Sequence, residues 1–140
     1  MPLVTPITTD LTLLFSIQYY IFMVKPTRQS DPVDKLALEL RRGTLALTAL
    51  SELRESRHGY SLVQRLSERG LEVEQGTLYP LLRRLDEQGL LDSRWDVSGS
   101  RPRKYYTLSP RGAEALEALS DLWRELVRTT SDLLNEGSRR

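Results

Sequence analysis

A change of hydrophobic period at Gly89 narrows the fold more than any other feature of the chain. Before it, apolar residues recur at helical spacing; after it, they alternate. The segment that ends there, EQGTLYPLLRRLDEQGLL from Glu74 to Leu91, carries Leu78, Leu81, Leu82 and Leu85 three and four apart, with Gly89 as its stop. Downstream, LDSRWDV sets Leu91, Trp95 and Val97 against Asp92, Arg94 and Asp96, the pattern of a half-buried strand. KYYTL repeats the alternation, with Tyr106 and Leu108 opposite Tyr105 and Thr107. SGSRPR lies between the two, so they predict a hairpin with a long basic tip.

Two helices are expected upstream. Asp31-Pro32 combines an N-cap residue with a first-turn proline, and Leu36, Leu40, Leu47, Leu50 and Leu53 carry a helix to about Glu55. Gly43 is where a short leading helix would separate from a main one starting near Thr44. HGYSLVQRLSERG then places Tyr60, Val63 and Leu66 on one face and ends at Gly70, with His58 read as a capping or linker residue. After the hairpin, Ser109-Pro110 opens a helix running to about Asn135. Three helices, a hairpin and a long helix give a mainly α chain with a small β-hairpin, the winged helix-turn-helix arrangement. The expected division is an N-terminal extension over 1–30, a winged helix-turn-helix domain over 31–108, a C-terminal dimerisation helix over 109–136 and a tail over 137–140.

The composition argues against catalysis. There is no cysteine and only one histidine among 140 residues, and no phosphate-binding glycine loop, so no nucleophile and base constellation or metal centre is expected. An enzyme is therefore the poorest reading, and no cofactor or metal is anticipated. The absence of cysteine is consistent with a cytoplasmic location. Net charge is +1, so affinity for a polyanion must come from local patches. Gly76 to Gly112 holds seven basic side chains against four acidic ones, whereas Ala113 to Glu136 holds two against six. A basic centre is thus followed by an acidic arm.

The most apolar stretch, LTLLFSIQYYIFMV from Leu11 to Val24, is shorter than the roughly 20 residues that span a bilayer and lacks a basic leader before it. It reads either as a strand or helix packed on the domain or as an upstream segment outside the natural product. The second is favoured, because Met23 is followed by VKPTRQSDPVDKL, a polar leader, and a natural start at Met23 is the expectation. No membrane association is anticipated.

HGYSLVQRL, GTLYPLLRRLDEQGLL and RKYYTLSPRG together resemble the PadR family of winged-helix transcriptional regulators, with GTLYPLLRRL the most specific block. The resemblance covers roughly Leu40 to the end of the last helix; Met1 to Phe22 match nothing in the family. It implies a dimeric, sequence-specific DNA-binding repressor whose third helix reads the major groove, whose hairpin is a wing, and which a small molecule bound near the dimer interface releases. A winged-helix module that binds protein in place of DNA is the alternative.

Three groups of residues are candidates. On the third helix, Gly76, Thr77, Tyr79, Pro80, Arg83 and Arg84 are the expected readers of double-stranded DNA. Thr77 is the expected N-cap, which would put Pro80 in the first turn, where its missing N–H has no intrahelical partner to lose, and let Gly76 bring the backbone close to a sugar-phosphate chain. The plainer alternative is that Arg83 and Arg84 are solvated charges paired with Glu87 or Asp86, and Tyr79 a core or linker aromatic. At the hairpin tip, Ser100, Arg101, Arg103 and Lys104 suit phosphate or minor-groove contact, against the alternative of an ordinary solvated turn. On the last helix, Leu116, Leu119, Trp123, Leu126, Thr130 and Leu133 run at spacings of three and four, and Leu122, Val127 and Leu134 widen the stripe. This excess predicts a homodimer interface; packing on the chain's own first helix is the alternative. Trp123 is also a candidate contact for a small aromatic effector, against a simple core role.

Overall fold

The computed structural model describes residues 31–140, so the expectations for the Leu11–Val24 stretch and for a start at Met23 lie outside the described residues. The chain divides into two units, Met1–Leu40 and Arg41–Arg140. In the first, Asp31 acts as the cap expected of it: its Oδ1 accepts from the backbone N–H of Val33 at 3.0 Å, and helix α1, Pro32–Glu52, begins there. Leu36 and Leu40 are exposed.

In the second unit α1 runs through Gly43 without a break, contrary to the division expected there. A lone glycine costs about 1 kcal/mol in a helix interior, too little to end a helix that is anchored by a buried face. Here that face is Leu45, Ala49 and Leu50, continued by Leu53 just beyond the helix. A two-residue strand, β1 (Arg57–His58), leads into α2 (Gly59–Glu68), followed by α3 (Gln75–Glu87), β2 (Leu91–Asp96), β3 (Arg103–Leu108) and α4 (Pro110–Ser138).

Both short helices stop at a glycine for the same reason. Gly70 and Gly89 have φ of +87° and +76°, the left-handed region that glycine enters without a steric penalty. At each, two reversed hydrogen bonds close the end, Leu71 N to Leu66 O at 2.8 Å and Gly70 N to Ser67 O at 2.9 Å on α2, Leu90 N to Leu85 O at 3.0 Å and Gly89 N to Asp86 O at 2.9 Å on α3. The glycine stops expected from the sequence are thus real caps.

Leu62 and Leu66 of α2 and Leu78, Leu81, Leu82 and Leu85 of α3 meet the α1 leucines, with Leu91 and Leu116 completing one cluster. Each leucine so buried contributes on the order of 2 kcal/mol. Tyr60, expected on the buried face of α2, is exposed, and Leu62 takes that place beside Leu66 with Val63 partly covered.

The sheet has three antiparallel strands in the order β1-β3-β2, one more than the hairpin expected. Arg57 pairs with Tyr106 and His58 with Tyr105, while β2 runs from Leu91 opposite Leu108 to Asp96 opposite Arg103. The half-buried pattern expected of β2 is not met, because only Leu91 is buried and Trp95 and Val97 are 63% and 73% exposed. Beyond Leu91 no residue of the strand is fully buried, although Ser93 still reaches Asp86 of α3.

Helix α4 starts where expected. Ser109 Oγ accepts from Gly112 N at 3.0 Å and donates to Gly89 O at 2.6 Å, which ties the start of α4 to the cap of α3. Gly112 allows this close approach, since a Cβ there would strike the carbonyl of Leu90. The helix continues to Ser138, three residues beyond the expected Asn135 and into the segment expected as a tail. Among the described residues no helix is long and apolar enough to cross a membrane.

Candidate functional site

Helix α3 does not start at Thr77. It begins at Gln75 with Glu74 at the cap position, and both Thr77 N and Leu78 N bond Glu74 O at 3.0 Å. Pro80 is therefore in the helix interior, and the expectation that it lies in the first turn, with Thr77 as cap, is corrected. Its missing N–H leaves the Gly76 carbonyl without the usual donor four residues on. Gly76 is exposed, so water can serve that oxygen, and the sequence around Pro80 stays helical because Leu78, Leu81 and Leu82 anchor it from the other side.

The six residues singled out on α3 divide between two sides. Tyr79 and Arg83 line a groove of about 630 Å³ shared with the hairpin, where they meet Arg101, Arg103 and Lys104. Thr77, Pro80 and Arg84 line a smaller groove of about 280 Å³ against Arg42 and Ala46 of α1. Gly76 joins neither, and nothing lies within 4 Å of where its Cβ would be. Ser100 lines a second recess at the hairpin tip with Asp96, Ser98 and Tyr105, and Arg101 and Arg103 line both this recess and the groove.

Tyr79 is held in place by Gly59. The ring packs so closely over Gly59 that a Cβ there would collide with it, and this contact fills the space between α2 and α3 that the HGY motif opens. The tyrosine remains 38% exposed into the groove. It is neither a core aromatic nor a free one.

The charges also sort themselves. Asp86, the alternative partner for Arg83 or Arg84, instead takes Lys104 Nζ at 3.3 Å and the Ser93 hydroxyl at 3.0 Å. Lys104 is thus engaged in bracing the hairpin to α3, and its ammonium also lies 5.9 Å from the Trp95 ring and 5.4 Å from that of Tyr106. Among the described residues Arg83, Arg84, Arg101 and Arg103 form no ion pair. On the other face of the sheet Arg94 covers the Tyr105 ring at 4.9 Å. The tip itself is shaped by Asp96, whose Oδ1 accepts from Ser98 N at 2.9 Å and from the Ser98 hydroxyl at 2.6 Å. These bonds hold its carboxyl below the usual range.

His58 caps α2, as expected from the sequence: its Nδ1 accepts from Ser61 N at 3.3 Å. The imidazole also meets Tyr105 edge-on, with ring centroids 5.4 Å apart. Burial first, and then the charge of Arg103, push its pKa below the ordinary value. A neutral ring is what the cap needs, because Nδ1 must keep its lone pair.

Two groove residues escape the sequence patterns. Helical spacing places Tyr60 in the core and alternation places Trp95 there, yet both are exposed and line the groove with Arg83 and Arg101. Neither pattern reports where the helical layer ends. On α4, Leu116 is 4% exposed and belongs to the chain's own core, which removes it from the proposed interface stripe. Leu119, Leu122, Trp123, Leu126, Val127, Thr130 and Leu133 are all exposed in the single chain. Among the described residues no three His, Asp or Glu side chains come together as a metal site.

The groove thus presents three guanidinium groups that form no ion pair among the described residues, beside an anchored tyrosine, a chemistry that favours phosphate and planar acceptor edges. Comparison with known proteins agrees with the fold. The model of the Transcriptional regulator PadR-like family matches residues 47–118. Transcriptional regulator Rv3488 of Mycobacterium tuberculosis is 37% identical over 105 residues, which is 71% of this chain and 98% of that protein. The crystal structure of a PadR family transcriptional regulator from Eggerthella lenta is 48% identical with a TM-score of 0.70, covering 73% of this chain and 91% of that one. A PadR-like transcriptional regulator from Bacillus cereus is 30% identical with a TM-score of 0.62, covering 69% and 96%. By family match, sequence identity and winged-helix architecture alike, the chain belongs to the PadR-like family of transcriptional regulators.

Proposed function

We propose that the protein binds operator DNA sequence-specifically as a homodimer and represses transcription. The observation that carries this reading is the single groove in which Arg83 of α3 and Arg101 and Arg103 of the hairpin, all without ion-pair partners among the described residues, stand beside Tyr79. Arginine makes bidentate contacts with guanine or phosphate, and a helix entering the major groove reads bases from near its N-terminus. In this reading α3 is the recognition helix, Arg83 and Tyr79 face base edges, and Arg101 and Arg103 neutralise phosphates. Thr77, Pro80 and Arg84, on the α1 side, reach the opposite phosphate strand, and exposed Gly76 leaves room for the duplex. Ser100 lies at the outer end of the wing.

The exposed stripe of α4 supports dimerisation, since Leu122, Trp123, Leu126 and Val127 form an apolar surface along an otherwise charged helix. A two-fold dimer would present two recognition helices to half-sites about one helical turn apart. Trp123, 42% exposed on that stripe, is the residue we assign to a small aromatic effector that relieves repression. Electrophoretic mobility shift with the duplex upstream of the protein's own gene tests the central reading. A specific shift that Arg83→Ala abolishes, with the fold intact by circular dichroism, is expected. No shift with any fragment of that region, or an undiminished shift for Arg83→Ala, would overturn it.

A further inference from the structure

Trp95 is hard to account for as a packing residue. It is 63% exposed on β2, and Val97, at the point where the strand ends, is 73% exposed; Pro102, on the other side of the tip, lines the same groove as Trp95. Full burial of a large aromatic normally yields several kcal/mol, and here most of that is forgone on a hairpin that is otherwise basic and polar. Exposure is not accompanied by looseness. Trp95 pairs in register with Lys104, whose ammonium is bonded to Asp86 on α3, and Asp86 also accepts from Ser93, the residue two before Trp95 on the same face. The indole thereby lines one groove with Arg83, Tyr79, Arg101 and Arg103.

We propose that the wing carries an apolar wedge, Trp95 with Pro102 lining the same groove, that enters a base step of bound DNA and partly unstacks it. This inference rests on the DNA-binding reading. The chemistry is that of an apolar side chain flanked by cations: Arg101 and Arg103 hold the phosphates while the indole replaces one base-stacking contact with its own. Indole is well suited to this, having the largest flat face among the side chains. Charge complementarity selects nucleic acid as the occupant, because Arg83, Arg101 and Arg103 line the same groove as Trp95 and, among the described residues, none of the three forms an ion pair. The step entered should be pyrimidine–purine, the kind that opens at least cost. The wedge would add selectivity at a position where no side chain hydrogen-bonds a base.

The test uses the full chain and the duplex upstream of its own gene, with 2-aminopurine replacing adenine at successive TA and CA steps. Binding of the wild-type protein should raise 2-aminopurine fluorescence at one step per half-site. Trp95→Ala should abolish that rise and weaken binding about tenfold, while Trp95→Phe retains most of both. Because Trp95 is exposed, the thermal midpoint of Trp95→Ala should stay within a few degrees of the wild type. Binding without a fluorescence rise at any step, which needs no variant to observe, or an unchanged rise with Trp95→Ala, overturns the wedge and leaves the DNA-binding reading standing. Failure of the wild-type protein to bind the duplex overturns both.

Discussion

Lys104 and Asp86 join the wing to the recognition helix through one ion pair of 3.3 Å, and Asp86 also receives the Ser93 hydroxyl at 3.0 Å. Both side chains are partly covered, so the pair is more than a solvated surface contact but less than a buried one. A double-mutant cycle with Lys104→Ala and Asp86→Ala is expected to give a coupling of about 0.5–1 kcal/mol, reduced in high salt. Urea midpoints for the four proteins measure it; a coupling of zero at low salt would mean that the wing is held by its strands alone.

Gly112 and Gly76 should respond in opposite ways to the same methyl group. At Gly112 a Cβ runs into the Leu90 carbonyl, a backbone atom that cannot swing aside, so Gly112→Ala should destabilise by about 2–4 kcal/mol. At Gly76 there is open space inside a helix, and alanine should stabilise by about 0.5–1 kcal/mol. If Gly76 is there to admit a duplex, Gly76→Ala nevertheless binds operator more weakly. Thermal melts paired with mobility shifts separate the two effects.

Restoring the donor at residue 80 should stabilise the protein. Pro80→Ala returns an N–H to the Gly76 carbonyl and removes the ring that crowds it, for a gain of about 1 kcal/mol or more. A drop in the denaturation midpoint of this variant would show that the pyrrolidine ring is packed against Arg42 or Ala46 more tightly than its exposed position indicates.

Acid should loosen the start of α2. The folded state depresses the pKa of His58, so below the unfolded value of 6.5 the unfolded chain takes up a proton first. The contribution of His58 is therefore fully present above pH 6.5 and is lost as the pH falls through the lower, folded value. Protonation occupies Nδ1, frees the Ser61 N–H and sets a charge beside Arg103. His58→Asn, which keeps a cap acceptor that does not titrate in this range, should remove the dependence. Urea midpoints for both proteins between pH 5 and 8 should converge toward neutral pH; parallel curves would contradict the assignment.

Phosphate neutralisation by the wing predicts a salt signature. Replacing Arg101 and Arg103 with alanine should weaken binding to all duplexes alike and lower the slope of log K against log salt by about 0.9 for each phosphate no longer neutralised. Fluorescence anisotropy titrations over a range of salt concentrations give the slope. A loss confined to one base position would assign these arginines to base reading instead.

The helices and the hairpin are legible in the sequence because each is local: Leu78 to Leu85 repeats with the helix, and Gly70 and Gly89 stand where only a left-handed residue serves. The rest depends on neighbours distant in sequence. Arg57 and His58 form a strand only because β3 lies alongside, and two residues show no alternation. Trp95 alternates like a core residue, but its strand has by then passed the edge of the helices. Pro80 reads as a first-turn residue because its intrinsic cost favours that place; the leucines beside it outweigh that cost and extend the helix back to Gln75. On the candidate site, Arg83, Arg101 and Arg103 can be named from sequence, but not the parting of Tyr79 from Thr77 and Arg84 onto separate sides.

The contact of Gly112 with Leu90 and the bonds of Ser109 to Gly89 and Gly112 act together as a fulcrum. From Gly112 to Ser138 the helix extends about 39 Å at 1.5 Å per residue. A rocking of only about 5° at the fulcrum would carry its far end about 3 Å, by the same helical geometry. Run in reverse, a displacement of a few ångströms at the distal leucines arrives at Leu90 as a small, strong torque, one residue from the strand that bears the wing.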